Sequence, residues 1–386
     1  MKAMKTIFVF AAWIAIFVSP FNRAAGAEPK LLAEFTTASG GEPILLPVTM
    51  GGKTYSFLLD TGANRTTFDK KLEPLLGPAK EIFQAKMADG QVNRMSVYFA
   101  PNASVGPLSL QQAGAVFCVD LSNLREATGL PIDGVLGNTF LRRYAVQIDF
   151  DAGKVRFYEA GKPEASWGLA VPMEILPNGV PVIVVDLAGD VQNVMLVDSG
   201  YSDTGMIPAE LFDHLRKEKK VPVAVSKHLG TDGTQTQTLA ARVDELRLGK
   251  NRYAGLTFDR SEGEVSLLGL GFLSRHTVTF DFLNDKLYLK KGKRYDLPDE
   301  IDMSGLHLLQ KPNGVVVHSI DAGSPAEKAG LKPRDILRQI DNQNVREMTL
   351  SNLRQRLRAG DGKTVDIIFQ RGDKGFKTTL TLKKQI

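Results

Sequence analysis

The chain repeats itself, and the landmarks of the repeat are glycines and aspartates. Val135-Leu136-Gly137, Phe140-Leu141, Arg143, Val146, Asp149-Phe150 and Lys154 recur at an offset of 132 as Leu267-Leu268-Gly269, Phe272-Leu273, Arg275, Val278, Asp281-Phe282 and Lys286, with Val135 against Leu267 the only exchange. Upstream, Phe57-Leu58-Leu59-Asp60-Thr61-Gly62 recurs at an offset of 138 as Met195-Leu196-Val197-Asp198-Ser199-Gly200, and Pro43-Ile44-Leu45 meets Pro181-Val182-Ile183 at the same offset. Between these landmarks Ala88-Asp89-Gly90 is echoed 143 residues on by Thr231-Asp232-Gly233. Landmarks kept in one order at nearly constant spacing mean one supersecondary plan built twice. The small differences in offset place the length changes in surface connections.

Each half reads as all-β. Residues 145–150 and 155–158 are apolar or alternating runs joined at Gly153, and 277–282 and 287–289 are joined at Asn284-Asp285, so each half closes on a hairpin. Asp-Gly between strand candidates marks a further hairpin tip in each half. Long helical periodicity is scarce, which favours stacked or closed sheets.

An apolar strand leads into each aspartate, and a carboxylate at the end of a buried strand is costly unless hydrogen-bonded or paired. The next residue, Thr61 or Ser199, brings a hydroxyl; Gly62 or Gly200 lets the chain turn and brings backbone N–H groups close to the carboxylate. Gly137 and Gly269 follow 77 and 71 residues... after Asp60 and Asp198 respectively, where each permits a tight backbone crossing against that loop. One Asp-Thr-Gly alone is a turn after a strand. Two, each framed by the same landmarks, point to a pair of carboxylates at equivalent places.

Leu59-Asp60-Thr61-Gly62-Ala63 resembles the active-site loop of retropepsin-like aspartic peptidases, and Val135-Leu136-Gly137 and Leu267-Leu268-Gly269 resemble that family's apolar-apolar-Gly element. The resemblance runs over about residues 30–292. It implies two β-barrel lobes in a single-chain pseudo-dimer, with Asp60 and Asp198 as the catalytic pair and Thr61, Gly62, Ala63, Ser199 and Gly200 supporting them. Flaps would carry Asp89, Gly90, Asp232 and Gly233. Two such carboxylates share a proton; one activates a water and the other polarises the peptide carbonyl, with no metal, cofactor or covalent intermediate. Tyr201 departs from the small residue usual after the second motif and is large enough to crowd the pair; Ser202 and Thr204 bring hydroxyls nearby.

After a charged stretch at 290–304 the pattern changes. Gly323-Ser324-Pro325-Ala326-Glu327-Lys328-Ala329-Gly330-Leu331 is a capped short helix closed by glycine, residues 350–357 form an amphipathic helix, and 314–317, 365–369 and 377–382 are strand candidates. The region 304–384, with Asp335-Ile336-Leu337 after the capped helix, resembles a bacterial PDZ domain. Gly305, Leu306, His307 and Leu308 would then form the loop that captures a peptide's C-terminal carboxylate while the peptide adds as a strand. The expected division is a signal peptide over 1–27, lobes over 28–165 and 166–292, a linker over 293–303 and a PDZ domain over 304–386.

The first residues read as an export signal: Lys2 and Lys5, an apolar run at 7–18, and Ala25-Gly26-Ala27 before Glu28. That run is short against the ~20 residues of a membrane span. The expected location is periplasmic or secreted, with no stable span after cleavage. The net charge of +5 includes three basic residues in that leader, so no nucleic-acid partner is expected. Cys118 is the only cysteine and lies in an apolar run, as a buried small hydrophobe would. His214, His228, His276, His307 and His318 lack metal-ligand spacing, and no Gly-x-Ser-x-Gly is present. The expected activity is endopeptidase action on exported proteins, with protein or peptide substrates and peptide C-termini as partners. The competing reading is a non-catalytic peptide-binding protein with degenerate lobes.

Overall fold

The computed structural model describes residues 29–384 apart from 87–91, 162, 164, 220, 230–234 and 359. The segment expected to be an export signal and the four residues expected to lie in flaps, Asp89, Gly90, Asp232 and Gly233, are outside the described residues. What is described is mainly β, as the short apolar and alternating runs dictate.

Each half forms a sheet with the same strand order. In the first half the strands run Glu81–Lys86, Val92–Phe99, Ala115–Val119, Thr67–Asp69, Gly134–Leu136, Lys53–Leu59, Leu45–Met50, Ala103–Val105 and Leu108–Ser109. The second half repeats that order from Val223–Leu229 and Gln235–Val243 through Leu256–Ser261, Gly205–Pro208, Ser266–Leu268, Val191–Val197 and Pro181–Leu187 to Leu246–Leu248 and Asn251–Tyr253. The strand entering each aspartate runs parallel to the strand of the apolar-apolar-Gly element, with Leu59 opposite Leu136 and Val197 opposite Leu268. A parallel pair needs a long crossover, so the 70-odd residues separating the two landmarks are the rest of the sheet.

A third sheet joins the halves. Its order is Leu31–Thr36, Lys154–Glu159, Tyr144–Asp149, His276–Asp281, Lys286–Lys291, Leu169–Pro172, so the two closing hairpins expected from the sequence lie side by side at its centre. Val146 pairs with Phe280 and Ile148 with Val278; between them Gln147 faces Thr279, its own counterpart in the repeat, and donates to the Thr279 hydroxyl at 3.1 Å. Residues related by the repeat thus meet at the centre of the joining sheet. Phe140, Phe157, Phe272 and Phe280 are fully buried around this sheet, within a core that continues into both halves.

The C-terminal unit has its own core and a sheet ordered Leu306–Lys311, Gly314–Ile320, Ile336–Ile340, Thr364–Arg371, Lys374–Thr381. Ser324 caps the short helix Pro325–Lys328 and Thr349 caps Leu350–Leu357, whose Leu350, Leu353 and Leu357 are buried as its periodicity requires. The stretch expected to be a linker makes contacts with the second half. Asp299 accepts hydrogen bonds from Thr204 Oγ1 and the Thr257 amide and pairs with Arg275 at 2.7 Å, and Tyr295 and Met303 are buried. Lys293, Arg294, Asp296 and Glu300 are exposed, but Asp299 and Asp302 turn inward to partners that the sequence does not reveal.

Phe280 is the test of the joining sheet. Phe280→Ala should cost about 3–5 kcal/mol, read as a lower urea midpoint with Trp167, which is buried against Tyr288 of the same sheet, as fluorescent reporter.

Candidate functional site

The two Asp-Thr/Ser-Gly loops meet between the halves and bond to each other. The Thr61 hydroxyl donates to the carbonyl of Val197 at 2.7 Å, and the Ser199 hydroxyl donates to the carbonyl of Leu59 at 2.9 Å. In return the Thr61 amide donates to Ser199 Oγ and the Ser199 amide to Thr61 Oγ1, both at 3.0 Å. Thr61 and Ser199 are fully buried, so four polar groups with no water to turn to are satisfied only across the junction.

Asp60 and Asp198 precede these residues and are half-buried. Their amides are held by the apolar-apolar-Gly strands, through the carbonyls of Leu136 at 3.1 Å and Leu268 at 2.8 Å. Asp60 Oδ1 accepts from the amides of Gly62 at 2.8 Å and Ala63 at 2.9 Å; Asp198 Oδ1 accepts from Gly200 at 2.8 Å. Gly62 and Gly200 are required from across the junction: a Cβ on Gly62 would overlap the Asp198 carboxyl, and one on Gly200 would come within 2.5 Å of the Asp60 carboxyl carbon. Each glycine therefore makes room for the aspartate of the other half.

The two carboxyls thus lie close together across the junction, each against the loop of the other. Burial, with the charge of Asp198 beside it, holds Asp60 well above the usual carboxylate range, and burial raises Asp198 as well, against the pull of the Gly200 amide. Two neighbouring carboxyls that both resist ionisation titrate as a pair, and a proton taken up there belongs to the pair rather than to either residue.

Gly137 and Gly269 play the packing part expected of them. A Cβ on Gly137 would come within 2.5 Å of the Arg65 carbonyl, and one on Gly269 within 2.6 Å of the Tyr201 carbonyl oxygen. Tyr201 does not turn onto the carboxyl pair. Its hydroxyl donates to Asp259 Oδ2 at 2.8 Å, and its ring packs with Leu196, Met206 and Leu267. Burial, then the Asp259 charge, pushes its phenol well above the ordinary value, so it stays a neutral donor. Thr204 is spent on Asp299 and Ser202 is exposed.

Asn138 is a site residue that the motifs alone did not single out. Its Nδ2 donates to the Thr61 carbonyl at 2.6 Å and its amide to the Ala63 carbonyl at 2.8 Å, fixing the first loop from behind. Its counterpart in the repeat is Leu270, which holds the Tyr201 carbonyl through its amide alone. A polar side chain beside Gly137, within an otherwise apolar stretch, was the available signal.

In the C-terminal unit Gly305, Leu306, His307 and Leu308 enter the first strand of the sheet. The Gly305 amide already donates to Asp302 Oδ1 at 2.6 Å, the Leu306 amide to Ser304 Oγ at 3.0 Å, and His307 Nε2 lies 3.0 Å from Asp321.

The junction lattice should be cooperative. Thr61→Val and Ser199→Ala each leave buried backbone groups unpaired, at about 1–3 kcal/mol. A double-mutant cycle on unfolding free energy should show a coupling of roughly 0.5–3 kcal/mol; strict additivity would mean that the two loops do not support each other.

Residues 46–140 match the family model described as aspartyl protease, and residues 316–371 match that described as PDZ domain. Among curated proteins, carboxyl-terminal-processing peptidase 2, chloroplastic, of Arabidopsis thaliana is 33% identical over 73 residues, 19% of this chain and 14% of that protein. A probable CtpA-like serine protease of Staphylococcus saprophyticus is 24% identical over 106 residues, 27% of this chain and 22% of that protein. The chain thus spans less than a quarter of either relative's length. The aspartyl protease match thus spans the segment that supplies Asp60 and Gly137, and the PDZ match spans most of the C-terminal unit.

Proposed function

We propose that this chain is an aspartic-type endopeptidase with Asp60 and Asp198 as its catalytic pair, built from two retropepsin-like lobes over 28–165 and 166–292 and followed by a PDZ domain. The observation that carries the reading is the reciprocal fit at the junction, where Gly62 and Gly200 each give way to the carboxyl of the opposite half. A folding requirement alone explains paired hydroxyls and tight turns. It gives no reason to hold two hydrogen-bonded, half-buried carboxyls together, at a cost in desolvation.

The chemistry follows from the shared proton. The ionised carboxylate takes a proton from a water as that water attacks the peptide carbonyl carbon; the protonated carboxyl donates to the carbonyl oxygen. The proton taken from the water then passes to the nitrogen as the C–N bond breaks, the former carbonyl oxygen returns its proton to the other carboxyl, and the pair is back in its starting state. The antiparallel hairpins Glu81–Lys86 with Val92–Phe99 and Val223–Leu229 with Gln235–Val243 support the flap reading, since Asp89-Gly90 and Asp232-Gly233 sit at their tips in sequence. The relative named a serine protease matches over only 106 residues, 27% of this chain, so its name carries little weight for the lobes that supply Asp60 and Asp198. An amino-terminal signal and export remain part of the proposal, with exported proteins as substrates.

The direct test is cleavage of a diverse peptide library by the chain from Glu28 onward, across acidic to neutral pH. Asp60→Asn and Asp198→Asn should each lower kcat by on the order of 10²–10⁴. Cleavage that survives Asp198→Asn would point to a homodimer of first lobes. No cleavage, with binding of peptide C-termini retained, would favour the non-catalytic reading.

The same pair should mark the stability profile. The folded chain binds a proton at Asp60 at pH values where the unfolded chain, with an ordinary value near 3.8, has released it. This contribution is full below 3.8 and is lost as pH rises through the raised folded value. Thermal midpoints measured from pH 4 to 7 should fall with rising pH in the parent, and the slope should flatten in Asp60→Asn.

A further inference from the structure

The PDZ unit meets the first half through the place where its family takes a peptide. Strand Leu306–Lys311 is an edge of its sheet, and helix Leu350–Leu357 flanks it. Such an edge strand and helix form the two walls between which an extended peptide adds as a further strand. Here the end of the first-half helix Ser122–Thr128 stands against both walls. Arg354, on the PDZ helix, donates through one guanidinium nitrogen to the Ala127 carbonyl at 2.8 Å and to the Leu308 carbonyl of the edge strand at 2.9 Å. Gly129, which ends the first-half helix in the left-handed region (φ +72°), lies so close that a Cβ there would come within 2.8 Å of Leu350 Cβ and 3.7 Å of Gln310 Cβ. Leu350 belongs to one wall and Gln310 to the other. Glu126 pairs with Lys311 at the end of the edge strand, and Glu42 accepts from Ser351 on the helix.

The other end of the PDZ helix reaches the second half beside the candidate catalytic loop. Arg358 bonds Asp203 Oδ1 at 3.1 Å, five residues past Asp198. The same guanidinium feels the charges of Asp302 and Asp259. Asp302 accepts from the Gly305 amide at the mouth of the peptide groove, and Asp259 accepts from Tyr201. One arginine therefore lies within charge reach of both the groove's entry loop and the loop of Asp198.

These contacts are of a kind that opens. They are mostly polar and partly exposed, with side-chain exposures of 38% and 27% for Lys311 and Glu126 and of 37% and 51% for Arg358 and Asp203. Exposed ion pairs hold weakly, and polar interfaces between domains of one chain permit relative motion.

We propose that residues 126–129 are a latch on the PDZ groove. An extended peptide entering between Leu306–Lys311 and Leu350–Leu357, its free C-terminal carboxylate replacing Asp302 at the Gly305 amide, displaces the first half and withdraws Arg358 from Asp203. Groove occupancy is thereby signalled to the loop of Asp198, a consequence that rests on the peptidase reading; the competition itself does not.

The test uses the chain from Glu28 onward carrying Asp60→Asn, so that binding is read without cleavage. The probe is a pool of fluorescein-labelled decapeptides, randomised over the last four positions and bearing free carboxylates, followed by anisotropy. Unlatching is done from the first half, leaving the groove's own residues intact. Glu126→Lys sets like charges together, and Gly129→Asn tolerates the left-handed backbone while pushing against Leu350. The doubly substituted chain should bind the pool at least tenfold more tightly than the parent, and the amidated pool should gain nothing. Conversely, Glu126→Cys with Lys311→Cys, oxidised to a disulfide, should abolish binding until reductant is added; Cys118 is buried, with its thiol pushed up to about 12, and stays out of the exchange. Equal binding by parent, unlatched and locked chains overturns the latch, as does an unlatched chain that binds nothing. Cleavage by the chain with Asp60 restored, alongside either of those results, would leave the peptidase standing and remove only the latch.

Discussion

Four hydrogen bonds between Thr61 and Ser199 and their opposing backbones hold the centre of this protein, and both halves are organised around them. Each hydroxyl gives its one proton to a carbonyl of the other half and accepts an amide from it. A buried hydroxyl or amide without a partner costs about 1–3 kcal/mol, so neither loop is satisfied alone. The lattice also sets the spacing of the residues on either side. Asp60 and Asp198, one position earlier, are drawn together; Gly62 and Gly200, one position later, must lack a Cβ because the opposite carboxyl occupies that space. The proximity that raises both carboxyls is thus a by-product of how two neighbouring residues bury their hydroxyls.

The lattice is supported at a distance by the sheet that both halves build. Gln147 facing Thr279 sets equivalent residues opposite one another, and the antiparallel pairing on either side joins the halves in one register. A one-residue slip there would turn Val146 and Phe280 toward the wrong face, which their complete burial forbids. Register in the joining sheet and hydrogen bonding in the junction therefore impose the same relation between the halves.

The halves are not equal, and the differences face the C-terminal unit. The first loop is buttressed by the Asn138 amide; the second has Leu270 there and instead anchors Tyr201 to Asp259 and Thr204 to Asp299. Asp299 belongs to the stretch that leads toward the PDZ unit, and Arg358 of that unit bonds Asp203. The second loop is thus held in part by chain outside the repeat, at Asp299 and Arg358, whereas Asn138, which holds the first, lies within it.

Much of this was written in the sequence. The repeat, the Asp-Thr/Ser-Gly loops and the apolar-apolar-Gly elements are short-range patterns, each with a local physical cause: a strand that needs alternation, a turn that needs glycine, a carboxylate that needs donors. These sufficed to expect two β units with an aspartate each, and a PDZ unit after them. Other features were not legible, because they depend on which surfaces meet. Tyr201 looked poised to crowd the carboxyls until Asp259, 58 residues away, was found to take its hydroxyl. The charged stretch before the PDZ unit read as a linker because sequence does not show that Asp299 faces Arg275 and Thr204. Asn138 looked like one more residue after a glycine. The sequence by itself determined the repeated strands, the tight turns and the residue types at the junction, since these follow from local periodicity and the steric freedom of glycine. Only the tertiary structure decided that Gly62 serves Asp198 and Gly200 serves Asp60, and that the end of the helix Ser122–Thr128 lies in the PDZ groove, because those contacts join residues more than a hundred positions apart.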